Sequence, residues 1–106
     1  MPGVEEADPA TVKAMLDNGE AVLIDVREDA EVAQFRIPGA QHIAMSRFDP
    51  ERIPDLEGRK LVLHCAAGMR SDAIARELLS RGLYEEITNM VGGIQAWAQA
   101  GFEVES

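Results

Sequence analysis

The 106-residue chain has a single cysteine, Cys65. An intramolecular disulfide is therefore impossible, and a cysteine-rich zinc site is excluded. His42 and His64 are the only histidines, so a conventional metal centre is not expected. Positive charge is also scarce: 10 Lys and Arg stand against 19 Asp and Glu, a net charge of −9. Nucleic acid and anionic membranes both demand a basic footprint, so neither is an expected partner. No stretch approaches the ~20 apolar residues of a membrane span. The opening MPGVEEADPATV lacks the basic start and apolar run of a signal peptide. A free thiol without such a signal points to the cytoplasm.

What is present is an ordinary globular composition, 46% hydrophobic and 27% charged. The length suits one domain over residues 1–106 and allows a core that needs no staple. Asp8-Pro9 predicts a helix start, with Val12, Met15 and Leu16 on one face and Gly19 closing it. Residues 21–26 (AVLIDV) read as a buried parallel strand, 29–35 as a short helix and 41–44 as a weak strand. A further short helix could lie between Ser46 and Leu56, despite Pro50 and Pro54. KLVLH at 60–64 is the clearest strand, followed by a helix over 71–81 with Ile74, Ala75, Leu78 and Leu79 as its apolar stripe and Gly82 as its stop. EITNM at 86–90 reads as another strand, and Gly92-Gly93 opens a last helix through Trp97. Strands alternating with helices imply an α/β sandwich on a mainly parallel sheet with helices on both faces. Ligands of such sheets bind beyond the carboxyl ends of the strands, where Cys65 falls.

The segment His64-Cys65-Ala66-Ala67-Gly68-Met69-Arg70-Ser71 joins the clearest strand to the clearest helix. Small residues at 66–68 let the backbone curl so that amide N–H groups gather round one point. Unpaired amides, the helix dipole and Arg70 all favour a thiolate at Cys65. The loop is thus an anion cradle with a nucleophile at its centre. The competing reading, a buried apolar cysteine at a strand end, does not explain the small-residue turn or the arginine.

These residues, with Leu23-Ile24-Asp25-Val26-Arg27-Glu28, Ile37-Pro38-Gly39-Ala40 and Val91-Gly92-Gly93-Ile94-Gln95-Ala96-Trp97, are in the right order for one family. The chain resembles a single-domain rhodanese, a thiosulfate sulfurtransferase-like module, over nearly its whole length. The resemblance implies a three-layer rhodanese-like sandwich and a double displacement through a Cys65 persulfide. A sulfane donor such as thiosulfate would load Cys65, and cyanide, a thiol or a protein would accept the sulfur. No metal or organic cofactor is required. Backbone amides of residues 66–70 would bind the persulfide sulfur, and Arg70 would hold or steer the anionic donor. Having no second thiol to discharge it, the persulfide would wait for an external acceptor, so a persulfide carrier fed by a partner protein is the alternative. A phosphatase or arsenate reductase-like enzyme is a third reading; related folds with those activities place five residues between cysteine and arginine, and here there are four. The chain departs from the family at Phe35-Arg36, where Gly-His is common, which bears on substrate access.

Other residues leave choices open. Asp25, at a buried strand end, is expected to support the site through loop backbone or an arginine. Arg27 is its partner, a clamp for Glu31, or a donor-binding group. His64 should face away from Cys65, as a packed histidine or a general base. His42 has no evident partner. Met69 either lines the acceptor's approach or is merely exposed. Ser71, read as the first helical residue, caps the helix or reaches the persulfide. Asp72 is a solvated acid or a proton donor. Arg36 either adds positive potential or is solvated.

Overall fold

The computed structural model describes residues 3–106. Five strands form one sheet: β1 (Val4–Ala7), β2 (Ala21–Asp25), β3 (Gln41–His42), β4 (Lys60–His64) and β5 (Ile87–Met90). Their order is β1-β5-β4-β2-β3, and every ladder is parallel. Four helices accompany them: α1 (Pro9–Asp17), α2 (Asp29–Gln34), α3 (Met69–Ser80) and α4 (Gly93–Gln99). The expected sandwich of helices on both faces of a parallel sheet is the fold observed.

Side-chain alternation builds two cores. Leu61, Leu63 and Cys65 point with Val22, Ile24 and Val26 toward Ile74, Ala75, Leu78 and Leu79 of α3. Val62, with Ala21 and Leu23, points the other way, toward Val12 of α1 and Ile94 and Trp97 of α4. Burial of a large apolar side chain contributes about 1.5–3 kcal/mol, so β2 and β4, apolar on both faces, are the fold's anchor. α2 buries no residue and lies across the carboxyl edge instead of covering a face.

Element boundaries differ from expectation by a residue or two. α3 begins at Met69 rather than 71, because Gly68, at φ +101°, already ends the loop as the N-cap. Ser71 is therefore the third helical residue and not the first. The region 46–56 forms two 3-10 turns, Met45–Arg47 and Pro50–Arg52, rather than one helix. β3 stops at His42. β1 has no counterpart in the sequence reading. Its VEEA pairs only with β5, and exposed Glu5 and Glu6 hide the strand pattern on this sheet edge. Asp8 caps α1 as expected, accepting from the Thr11 amide at 2.8 Å.

Candidate active site

The chain leaves β2 for β3 on one side and leaves β4 for β5 on the other. The carboxyl ends of β2 and β4 therefore flank the crevice where the winding reverses, the usual place for a ligand in an open α/β sheet. Cys65 stands on the β4 side, and Val26-Arg27-Glu28 on the β2 side. A cleft of about 520 Å³ lies at the opposite end of the strands, lined by residues such as Glu20, Arg59 and Lys60, away from Cys65.

Cys65 is 1% exposed and its sulfur is the focus of the loop. Sγ accepts from the Gly68 amide at 3.1 Å and the Ser71 amide at 3.5 Å, with the Ser71 hydroxyl at 3.4 Å. Burial pushes the thiol pKa up. The Ser71 hydroxyl and amide, with the Gly68 and Ala67 amides, outweigh that and leave it below its ordinary value of 9.0. The Met69 and Arg70 amides open α3 and have no partner among the described residues. Met69 itself is 82% exposed at the rim.

The loop is held from β5 and α4, two connections absent from the sequence reading. Asn89, 4% exposed on β5, donates Nδ2–H to the Gly68 carbonyl at 3.0 Å, and its Oδ1 accepts from the Ser71 hydroxyl at 2.6 Å. The amides of Ile94 and Gln95 donate to the carbonyls of Cys65 and Ala66 at 2.9 and 3.1 Å. This close approach explains Gly93: a Cβ there would stand 2.3 Å from the Cys65 carbonyl oxygen. Gly68 is squeezed likewise, with its Cβ position 3.3 Å from the Gly92 nitrogen. A glycine pair after a strand could have signalled this approach; nothing local marks Asn89.

Asp25 and Arg27 form a buried pair, 2.8 Å between Oδ2 and Nη2, both side chains 2% exposed. Arg27 also donates to the Phe35 carbonyl at 2.8 Å, and its guanidinium lies 5.5 Å from the Phe35 ring centroid. Of its three expected roles, partnership with Asp25 is the one the structure displays; its contact with Glu31 is to the carbonyl oxygen, at 3.5 Å. Glu31 instead grips Arg70, with Nη1–Oε1 and Nη2–Oε2 both 2.8 Å. That two-pronged pair lowers the Glu31 pKa to about 2, chiefly through the Arg70 hydrogen bond, and keeps Arg70 firmly charged. The arginine that the sequence left free is thus held by Glu31, with the Cys65 thiolate as a second, weaker influence that also raises its pKa.

His64 is fully buried on the far face from the sulfur. Its Nδ1 is 3.3 Å from the Cys65 carbonyl oxygen and its Nε2 is 3.6 Å from Asp25 Oδ2. Burial lowers its pKa, so it is a neutral packed ring. His42 does have a partner: Nε2 lies 2.6 Å from the Arg27 carbonyl oxygen. Arg36 pairs with Glu105 at 3.3 Å, and Asp72 with Arg76 at 2.8 Å.

The family model of the rhodanese-like domain matches residues 8–100. The chain belongs to the rhodanese-like family. A sulfurtransferase of Allochromatium vinosum is 34% identical, the match covering 95% of this chain and 94% of that protein. The thiosulfate sulfurtransferase GlpE of Haemophilus influenzae is 27% identical over 96% of this chain and 95% of that one. An uncharacterized protein of Synechocystis is 36% identical over 88% of this chain, which spans about half (51%) of that relative. Among solved structures, a Rhodopseudomonas palustris protein of unknown function, described as a possible tyrosine phosphatase, superposes with TM-score 0.79 at 26% identity, covering 96% of this chain and 85% of that one. A rhodanese-like domain with sulfurtransferase relatives supports sulfurtransferase activity for this chain.

Proposed function

We propose that Cys65 removes the outer sulfur of a sulfane donor, carries it as a persulfide and delivers it to a thiophilic acceptor. The observation that carries this reading is the sulfur's position, with amides of Gly68 and Ser71 donating to it at 3.1 and 3.5 Å. Donors so placed stabilise charge on sulfur without a metal. The unpartnered amides of Met69 and Arg70 are the groups available to a second sulfur beyond the first.

With thiosulfate, the thiolate attacks the sulfane sulfur and forms an S–S bond. The sulfur–sulfur bond of the donor breaks, and sulfite leaves with the bonding pair. The acceptor, cyanide or a thiolate, then attacks the outer sulfur and the Cys65 thiolate leaves. Neither departing group needs a proton at neutral pH, so the reaction calls on no general acid and buried His64 is left a packing role. The chain holds no second cysteine, so the second half-reaction depends on an acceptor from outside.

Two-substrate kinetics test the reading. Varying donor and cyanide together should give the parallel reciprocal plots of a ping-pong reaction, with no turnover in Cys65→Ser. Intersecting plots, or turnover that survives Cys65→Ser, would contradict it. Cys65-dependent hydrolysis of an aryl phosphate would favour the phosphatase reading instead.

A further inference from the structure

Among the described residues, three arginines stand at the carboxyl edge of the sheet near the site, and each is matched by a carboxylate. Arg27 pairs with Asp25 at 2.8 Å, Arg47 with Asp29 at 2.7 Å and Arg70 with Glu31 at 2.8 Å. A fourth acid, Glu28, accepts from the Ser46 hydroxyl and amide at 2.6 and 3.1 Å, without a guanidinium of its own. The edge therefore carries an excess of negative charge, on a chain whose net charge is −9. Thiosulfate brings two negative charges within a few bonds of its reactive sulfur. The loop amides can offset only partial charge, and the one full cation that follows the nucleophile in the loop, Arg70, faces the sulfur with its charge already matched by Glu31.

We infer that Glu31 is a specificity-determining residue: by gripping Arg70 it compensates the charge of the loop's cation and selects sulfane donors bearing one negative charge, organic persulfides and thiosulfonates, over dianionic thiosulfate. The inference rests on the Cys65 sulfur-transfer reading and names its donor class. Glu31 reaches the loop from α2 and also accepts from the Glu28 amide at 3.0 Å as part of that helix's capping box. Glu31→Gln retains an oxygen for the Glu28 amide while removing the charge and one of the two acceptors that hold Arg70.

Methanethiosulfonate is the matched probe. It has the same sulfane–sulfonyl bond as thiosulfate with one charge fewer, and attack by the Cys65 thiolate expels methanesulfinate in place of sulfite. Loading rates of both donors are measured on the native protein and on Glu31→Gln, and the ratio cancels intrinsic reactivity. Unmasking one positive charge close to the donor should shift that ratio toward thiosulfate by about tenfold at low salt. An unchanged ratio, with both donors still loading, overturns the role of Glu31 and leaves the Cys65 reading standing. If neither donor adds sulfur to the native protein, both fall. Should Glu31→Gln fail to fold, salt decides the matter on the native chain. Screening should raise the relative rate with thiosulfate, whereas a fall would reveal Arg70 acting as a free cation and overturn the inference.

Discussion

The Ser71 hydroxyl lies 2.6 Å from Asn89 Oδ1, while Asn89 Nδ2 lies 3.0 Å from the Gly68 carbonyl oxygen. A carbonyl can only accept, so the Gly68 contact fixes which way the Asn89 amide faces, and Ser71 must be the donor to Oδ1. One residue on β5 thereby sets both the cap of α3 and the hydroxyl nearest the sulfur. Asn89→Ala removes both buried hydrogen bonds, though the Asp72 amide still donates to the Gly68 carbonyl at 3.2 Å, and urea unfolding should register a loss of about 1–3 kcal/mol. A loss below about 0.5 kcal/mol would mean that the loop holds itself.

Ser71 supplies both a hydroxyl and an amide to Cys65, and the hydroxyl is the larger influence in lowering the thiol pKa. The proton it gives Asn89 can turn to the sulfur when the thiolate forms. Ser71→Ala keeps the amide and should raise the Cys65 pKa toward the ordinary value of 9.0. Ultraviolet thiolate absorbance against pH is the proper readout, because a thiol 1% exposed makes alkylation rates depend on access. An unmoved titration would remove Ser71 from the account.

Gly93 offers a contrast between strain and collision. Its φ is +58° and a Cβ would meet the Cys65 oxygen at 2.3 Å, whereas Gly101, at φ +85°, faces open space. Gly101→Ala should cost about 1–2 kcal/mol from its backbone alone. Gly93→Ala should cost more, roughly 3 kcal/mol or above, and slow sulfur transfer by displacing the loop. Equal losses in the two variants, measured by chemical unfolding, would mean that α4 is not docked against the loop as described.

Much of this architecture is legible locally. The β2 and β4 runs, the α3 stripe and the Cys65 turn are written in contiguous residues, each with its own periodicity or small-residue signature. Asn89 and Glu31 are not, because their meaning lies in partners 18 and 39 positions away. Arg70 shows the consequence. Read along the chain it is a free cation beside a cysteine, and only the fold reveals that α2 brings a carboxylate to it. β1 is hidden for a related reason: pairing with β5 stabilises a strand whose own residues barely favour one.

The ion pair also predicts a response to acid. Glu31 has its folded pKa lowered from 4.5 to about 2. Its stabilising contribution is therefore complete above pH 4.5 and fades as the pH falls toward 2. The pair is part-exposed, so the effect is modest. Melting temperatures across that window should fall less steeply in Glu31→Gln than in the native protein. Parallel curves would show that the pair does not persist in solution.

The most direct measurement is the intact mass of the protein after brief exposure to a sulfane donor and removal of the excess. The account predicts one added sulfur atom, located on Cys65, discharged by cyanide as thiocyanate and absent from Cys65→Ser. A native mass that stays unchanged with thiosulfate, methanethiosulfonate and an organic persulfide alike would contradict it.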